Sequence, residues 1–307
     1  MTQEKVAILM STYNGEKFLR EQLNSLVTQK LRPNQILIRD DGSSDATMDI
    51  IKYYADSYKF IKYYQGENLG AAKSFMELIN KAEEADYYAL CDQDDVWFED
   101  KLQVAVNTLE AVRPNDITLL YCSRFSLTDE KLNPLNSEIS KLYGYTDYAH
   151  ALLFQTAPGC TFVFNNAARE QIVKYDMNKE YCIIHDSVIH KVCAMLGKVI
   201  LDESSHMYYR QHGNNEIGLS ADEKKNFIKR VKRFFTGELK HYRRDTALSL
   251  LNVYGDIMSE ENRELTDIVA QYYVNGELSK KLRTMECFKT HSINDFYFKL
   301  LVLFRYI

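Results

Sequence analysis

Two hydrophobic periods alternate along the first third of the chain. Val6–Met10 is a short, unbroken apolar run of the kind a buried parallel strand carries. Phe18, Leu19, Gln22, Leu23, Leu26 and Val27 follow helical spacing up to Gln29, and Pro33 stops that helix. A second strand, Gln35–Arg39, runs into Asp40-Asp41-Gly42-Ser43-Ser44-Asp45, where Ser44 or Asp45 is the expected N-cap of a helix over Ala46–Tyr58. Phe60–Tyr64 reads as a third strand, and Asn68-Leu69-Gly70 opens a helix over Ala71–Ala85. Asp86–Leu90 reads as a fourth strand, with a helix over Glu99–Val112 behind it. The order β-α-β-α-β-α-β predicts an α/β fold, a Rossmann-like αβα sandwich around a mostly parallel sheet.

Three loops then fall at the carboxyl edge of that sheet, where open α/β sheets bind ligands. The first is Ser11-Thr12-Tyr13-Asn14-Gly15 and the second Asp40-Asp41-Gly42-Ser43. A nucleotide base can stack on Tyr13 while Asp41 accepts a hydrogen bond from a ring N–H. The third loop, Cys91-Asp92-Gln93-Asp94-Asp95-Val96-Trp97, crowds Asp92, Asp94 and Asp95 together, with Asp100 close behind. Carboxylates this close repel one another, and a cation relieves that cost. Hard oxygen ligands at Asp-x-Asp spacing suit Mg²⁺ or Mn²⁺, held by one or two carboxylates plus substrate phosphates. Neither a G-x-G-x-x-G nor a G-x-x-x-x-G-K-[ST] loop is present, so the usual dinucleotide and P-loop readings fail.

Composition narrows the class without choosing a reaction. At 307 residues the chain can bury a full core, and its net charge of −5 argues against a nucleic-acid partner. The six cysteines form no Cys-x-x-Cys pair, which reads as reduced thiols and makes zinc improbable. The N-terminus enters a strand without a leader, and no apolar run approaches the roughly 20 residues that span a bilayer. The expectation is a cytoplasmic protein.

In order, Ile8-Leu9-Met10-Ser11-Thr12-Tyr13-Asn14-Gly15, Arg39-Asp40-Asp41-Gly42-Ser43-Ser44-Asp45, Asn68-Leu69-Gly70 and Asp92-Gln93-Asp94-Asp95-Val96-Trp97 resemble family 2 glycosyltransferases. Within that family they look most like the bacterial rhamnosyltransferase-like branch that builds cell-surface polysaccharides. The resemblance covers about residues 4–218. It implies a GT-A fold, with a nucleotide-binding half, an acceptor half and an Asp-x-Asp loop holding a divalent metal against a sugar-nucleotide diphosphate. Ser11, Tyr13 and Asp41 match the positions that contact base and ribose, with Thr12 and Asn68 beside them. Asp92 and Asp94 bracket the Asp-x-Asp, Asp95 is the alternative metal ligand, and Lys73 sits one turn into a helix where a cation can meet diphosphate.

Further along, Thr118–Phe125 is strand-like and 128–148 polar and irregular, an acceptor-side excursion. Gly159, ahead of Phe162-Val163-Phe164, would let a sugar approach the backbone closely. His185-Asp186 precedes an amphipathic helix over Ser187–Leu196. A carboxylate there is stabilised as the anion by the helix dipole, which suits a base and equally suits a plain N-cap. The family places its catalytic Asp at this position, so Asp186 is the expected base, with Asp202 or Glu203 next in line. In Tyr208-Tyr209-Arg210-Gln211-His212, also part of the resemblance, Arg210 can meet phosphate bidentately and His212 can ligate the metal. The Gln-x-x-Arg-Trp signature of processive members is absent, which points to single sugar addition.

From Ser220 the character changes. Residues 222–244 hold nine Lys/Arg against three acids, with Ile228, Val231, Phe234 and Phe235 on one helical face. This reads either as an element docking on an anionic membrane surface or as an ordinary helix with a solvated basic face. Phe296–Ile307 looks helical and too short to span; it can pack on the fold, on a second subunit in a homo-oligomer, or on a bilayer. The expected organisation is a GT-A domain over 1–218 (nucleotide half to about 125, acceptor half 126–218) followed by a helical region over 219–307.

The reading is an inverting, metal-dependent glycosyltransferase that uses dTDP-rhamnose or a UDP-hexose with Mn²⁺ or Mg²⁺. Its acceptor is a glycan or lipid-linked glycan, met at the inner face of the cell membrane. The alternatives are a sugar-phosphate nucleotidyltransferase, which normally shows a Gly-rich basic loop after its first strand, and a non-catalytic nucleotide- or glycan-binding module.

Overall fold

The computed structural model describes residues 4–112, 116–135, 146–154, 157–181, 184–213, 241–273, 276–285 and 302–303. The first six strands and four helices run β1 (Val6–Thr12), α1 (Leu19–Val27), β2 (Gln35–Asp40), α2 (Thr47–Ser57), β3 (Ile61–Gln65), α3 (Ala71–Lys81), β4 (Tyr87–Cys91), β5 (Val96–Trp97), α4 (Lys101–Glu110) and β6 (Thr118–Thr128). Then follow α5 (Tyr148–Leu153), a 3₁₀ turn (Gly159–Thr161), β7 (Val163–Asn165), α6 (Asn166–Ile172), α7 (His185–Leu196) and β8 (Gly197–Arg210). Three further helices close the described chain: α8 (Tyr242–Tyr254), α9 (Glu260–Gln271) and α10 (Gly276–Thr284).

The eight strands form one sheet in the order β3-β2-β1-β4-β7-β6-β8-β5. The four strands β3, β2, β1 and β4 are mutually parallel, as is β6 with β8, whereas β7 and β5 pair antiparallel to their neighbours. Because side chains alternate across a strand, one run of sequence feeds two cores. Val6, Ile8, Met10, Ile36, Ile38, Ala89 and Cys91 pack with Leu19, Leu23, Ile50, Ile51, Leu102 and Ala105 of α1, α2 and α4. Ala7, Leu9, Leu37, Tyr88 and Leu90 face the other way, onto Phe75, Leu152, Val188, Ala247 and Ile268. The result is the expected αβα sandwich.

The C-terminal helices share the second core. Tyr148 Oη and Thr266 Oγ1 lie 2.7 Å apart, Tyr254 Oη donates to the Gln171 carbonyl at 3.0 Å, and Asn262 Nδ2 donates to the Met195 carbonyl at 3.0 Å.

Three sequence expectations shift. The N-cap of α2 is Ala46, although the Asp45 carboxylate still takes the Thr47 N–H at 3.0 Å. α3 ends at Lys81 rather than Ala85, because Ala82 turns extended and the Ala85 N–H goes to Tyr88 Oη. β5 and the 14-residue β8 were not foreseen.

Candidate active site

β1 sits between β2 and β4, and the chain leaves it in opposite directions, so the loops after β1, β2 and β4 converge on one edge. They are stitched together by side chain to backbone bonds. Asn14, at a φ of 47°, gives its N–H to Ser43 Oγ and takes the Ser44 N–H, both at 2.8 Å. Gln93 of the acidic loop clasps Tyr13 twice, accepting its N–H at 2.9 Å and donating to its carbonyl at 3.0 Å. A Cβ on Gly15 would stand 2.1 Å from Gln93 Oε1, so only glycine permits this clasp. The Tyr13 ring stays 48% exposed and available for stacking. Ser11 Oγ meets Ser74 Oγ at 2.6 Å, and Thr12 Oγ1 donates to Asp40 Oδ1 at 3.1 Å.

Asp41 is buried and well supplied. Its Oδ1 takes the Leu69 N–H at 2.8 Å and the Arg39 guanidinium, and its Oδ2 takes the Gly70 N–H at 2.9 Å. Arg39 is itself buried among Glu77, Ser74 Oγ and the Glu67 carbonyl. Asp41 thereby fixes the start of α3, and the second lone pair of Oδ2 is the one left for a ring N–H. Asn68 caps this turn, accepting the Gly70 N–H at 3.2 Å. Lys73 is exposed and reaches Asn178 Oδ1 at 3.3 Å, on the α6 side of the molecule.

The three acids of the third loop have different jobs. Asp94 Oδ2 lies 2.6 Å from His212 Nε2, and the His212 ring leans on Phe18. Asp95 is buried; its Oδ1 takes the Arg210 N–H at 3.1 Å, while its Oδ2 has no hydrogen-bond partner. Burial pushes the Asp95 carboxyl well above the usual range and Asp94 and Asp92 add to it, against a pull from the Arg210 N–H and Lys101. Asp92, Asp95 and Cys160 offer ligand atoms within 4.8 Å of one another. A divalent cation therefore has two adjacent sets of donors, Asp94 with His212 and Asp92 with Asp95. Cys160 joins the second set, a ligand the sequence reading did not include.

Arg210 is held from within the fold. Its guanidinium is 1% exposed and lies over the Phe18 ring, 4.5 Å from the centroid. Nε donates to the Asp94 carbonyl at 2.8 Å, and the two terminal nitrogens go to the Glu130 carbonyl and to Glu21. All three nitrogens of the fork are used inside the protein, so Arg210 clamps the acidic loop to α1 and to the end of β6.

Asp186 lies in the first turn of α7 behind an Ile184 N-cap, and its Oδ1 still accepts the Ser187 N–H of that turn at 2.8 Å. Its Oδ2 accepts the Gly159 N–H at 3.1 Å. A Cβ on Gly159 would meet the Asp186 Cβ at 3.0 Å and His185 Nε2 at 3.1 Å. Glycine at this position admits the start of α7. The next residue, Cys160, has its Sγ within 4.8 Å of carboxylate oxygens of Asp92 and Asp95. Adjacent residues, whose Cα atoms stand about 3.8 Å apart, thus connect Asp186 to the acidic loop.

The fallback bases are committed elsewhere. Asp202 pairs with His206 at 3.1 Å and takes the Tyr121 hydroxyl at 2.9 Å, while Glu203 pairs with Arg124. Of the nine basic residues in 222–244, only Arg243 and Arg244 lie within the described residues. Both turn to protein partners, the Leu153 carbonyl and Asp245. The other seven, with Ile228 to Phe235, lie outside the described residues, as does nearly all of 296–307.

Comparison with known proteins agrees with this arrangement. The family described as "Glycosyl transferase family 2" matches residues 7–172. The dTDP-rhamnosyl transferase RfbG of Shigella flexneri is 29% identical over 248 residues, 77% of this chain and 81% of that protein. The cholesterol galactosyltransferase of Borreliella burgdorferi is 30% identical over 121 residues, 39% of this chain and 32% of that protein. The solved structure of S. aureus TarS residues 1–349 in complex with UDP-GlcNAc covers 97% of this chain and 81% of its own, with a TM-score of 0.58 at 15% identity. That likeness establishes the GT-A fold, and the family match spans more than half of the chain. The chain belongs to glycosyltransferase family 2 and is a glycosyltransferase.

Proposed function

We propose that this glycosyltransferase moves a sugar from dTDP-rhamnose or a UDP-hexose to a hydroxyl of a glycan or lipid-linked glycan, with inversion, in cell-surface polysaccharide synthesis. The observation that carries this reading is the junction at Gly159-Cys160, which sets a buried carboxylate, Asp186, beside a donor-binding edge lined by acids. The rhamnosyl relative supports the choice of donor. The UDP-GlcNAc complex of TarS supports a nucleoside-diphosphate sugar in the same fold.

Tyr13 stacks on the base, Asp41 Oδ2 accepts its ring N–H, and Ser11, Thr12, Asn68 and Asp92 line the ribose and diphosphate path. Lys73, exposed on α3, adds a cation to that side. Asp94 and His212, with Asp92 and Asp95 beside them, would hold Mn²⁺ or Mg²⁺, which when bound would offset charge on the departing nucleoside diphosphate. Asp186 takes the proton of the acceptor hydroxyl, whose oxygen attacks the anomeric carbon as the bond to the diphosphate breaks. A single displacement with the base opposite the leaving group inverts the centre. The basic stretch over 222–240 brings the enzyme to an anionic membrane face where a lipid-linked acceptor resides.

A panel of sugar nucleotides with Mn²⁺, Mg²⁺ or chelator tests the reading, scored by donor hydrolysis and thermal shift. One dTDP- or UDP-sugar should stand out, with activity lost in chelator and in Asp94→Ala. Full activity in excess chelator would remove the metal from the scheme.

A further inference from the structure

Beneath the acidic loop lies a cation that belongs to the protein. Lys101 opens α4 and is fully buried. Its ammonium donates to the Cys160 carbonyl at 2.6 Å and to Met207 Sδ at 3.4 Å, and it sits 3.7 Å from the centroid of the Trp97 ring. Burying an ammonium is costly unless anions or dipoles offset it. Here the offset comes from around the acidic loop. Burial lowers the Lys101 pKa to about 8, while Cys160, Cys91, Asp95 and Asp92 all act to hold its proton. Lys101 in turn opposes the upward push on Asp95. Asp92, Asp95 and Cys160 offer ligand atoms within 4.8 Å of one another, and Lys101 bonds the carbonyl of that same Cys160, so a divalent ion entering the trio meets a like charge nearby.

We propose that Lys101 is the resident counter-cation of the acidic loop. It neutralises part of the Asp92 and Asp95 charge from below, so that the divalent ion is held firmly only when a nucleoside diphosphate brings further negative charge. Metal loading then follows the donor, and the loop keeps its shape between turnovers without a metal. Lys101 is on this view a positioning residue that touches no substrate, and the inference rests on the metal-dependent reading above.

The test is Mn²⁺ titration followed by electron paramagnetic resonance, with Mn²⁺ alone and with Mn²⁺ plus UDP or dTDP. The wild-type enzyme should bind Mn²⁺ weakly alone and far better with the nucleotide. Lys101→Met should bind Mn²⁺ alone roughly tenfold more tightly, since a nearby like charge has gone, and Lys101→Arg should keep the wild-type pattern. A lysine that only props up the loop predicts the opposite sign, so equal or weaker Mn²⁺ affinity in folded Lys101→Met overturns the proposal. Should that variant fail to fold, Lys101→Met/Asp95→Asn is compared with Asp95→Asn alone, and the same tightening is expected. Wild-type protein that binds no Mn²⁺ with either nucleotide would bring down the metal reading itself, and this inference with it.

Discussion

Asp186 and Arg210 are both buried charged side chains beside the site, yet their partners assign them different work. Asp186 accepts the Gly159 N–H on Oδ2 and the Ser187 N–H on Oδ1, and Asp186→Asn, with a single acceptor oxygen, gives up the proposed base and one of these two contacts. Turnover should fall by about 10²–10⁴ with donor affinity nearly unchanged; loss of donor binding would instead make Asp186 a donor contact. Arg210 spends its fork on the Asp94 and Glu130 carbonyls and on Glu21. Arg210→Lys should therefore cost about 1–3 kcal/mol of stability, since a lysine cannot satisfy the fork. Affinity for UDP or dTDP in the absence of metal should barely move. A large loss of nucleotide affinity at unchanged melting temperature would restore the phosphate role. The Asp-x-Asp acids were legible because repulsion between near neighbours shows in sequence. The roles of Arg210 and Lys101 were not, because they depend on what the strands bring beside them. A clue to Lys101 was present: with Leu102, Ala105, Val106 and Leu109 it falls on the buried stripe of α4.

At the scale of elements, the parallel half of the sheet was readable because β1, β2 and β4 carry apolar runs and its helices are amphipathic. β8 was not, since Asp202-Glu203-Ser204-Ser205 interrupts the apolar pattern where β6 slips register against it, around Arg124. β5, only two residues long, is held by β8. Unforeseen as it was, β8 delivers Arg210 and His212 to the acidic loop. The 3₁₀ turn at Gly159–Thr161 packs closely against the start of α7. Gly159→Ala would press a methyl group against Asp186 and His185 and shift the start of α7. Turnover should drop about 10–100-fold, as misplacing a catalytic group by about 1 Å does, with nucleotide affinity preserved. Unaltered steady-state kinetics would show that the turn yields without moving the base.

Among the described residues of the whole molecule, His185 and His190 are buried where the charged imidazole is disfavoured. Burial lowers both His185 and His190 to about 3 from an ordinary 6.5, and neither ring nitrogen of His190 has a hydrogen-bond partner. Below pH 6.5 the unfolded chain takes up these protons and the folded chain does not, so stability falls as pH drops from 6.5 toward 3. Each histidine contributes about 1.4 kcal/mol per pH unit within that window. Urea unfolding from pH 7 to 4 should show the combined slope, and His190→Leu should remove about half of it; an unchanged slope in that variant would refute the assignment. On the outside, changing Lys229, Arg230, Lys232 and Arg233 to Glu should release the protein from anionic vesicles while sparing hydrolysis of a soluble donor. Docking of the unaltered chain should weaken with salt, since charges are screened beyond about 8 Å at physiological ionic strength. Equal co-sedimentation with neutral vesicles would count against a membrane role.

The Gly159-Cys160 junction also constrains how such an enzyme can be rebuilt. Asp186 leans on one residue of the turn and the acids lie near the other, so the proposed donor and acceptor halves would meet in a shared part. A chimera that splices a foreign acceptor half onto residues 4–125 will retain a working alignment only if it brings a matching small residue and its neighbour at this turn. Swaps cut elsewhere should keep nucleotide binding and lose transfer. New acceptor specificity in this scaffold is therefore better sought in the polar residues that follow β6 in sequence than by exchanging whole halves.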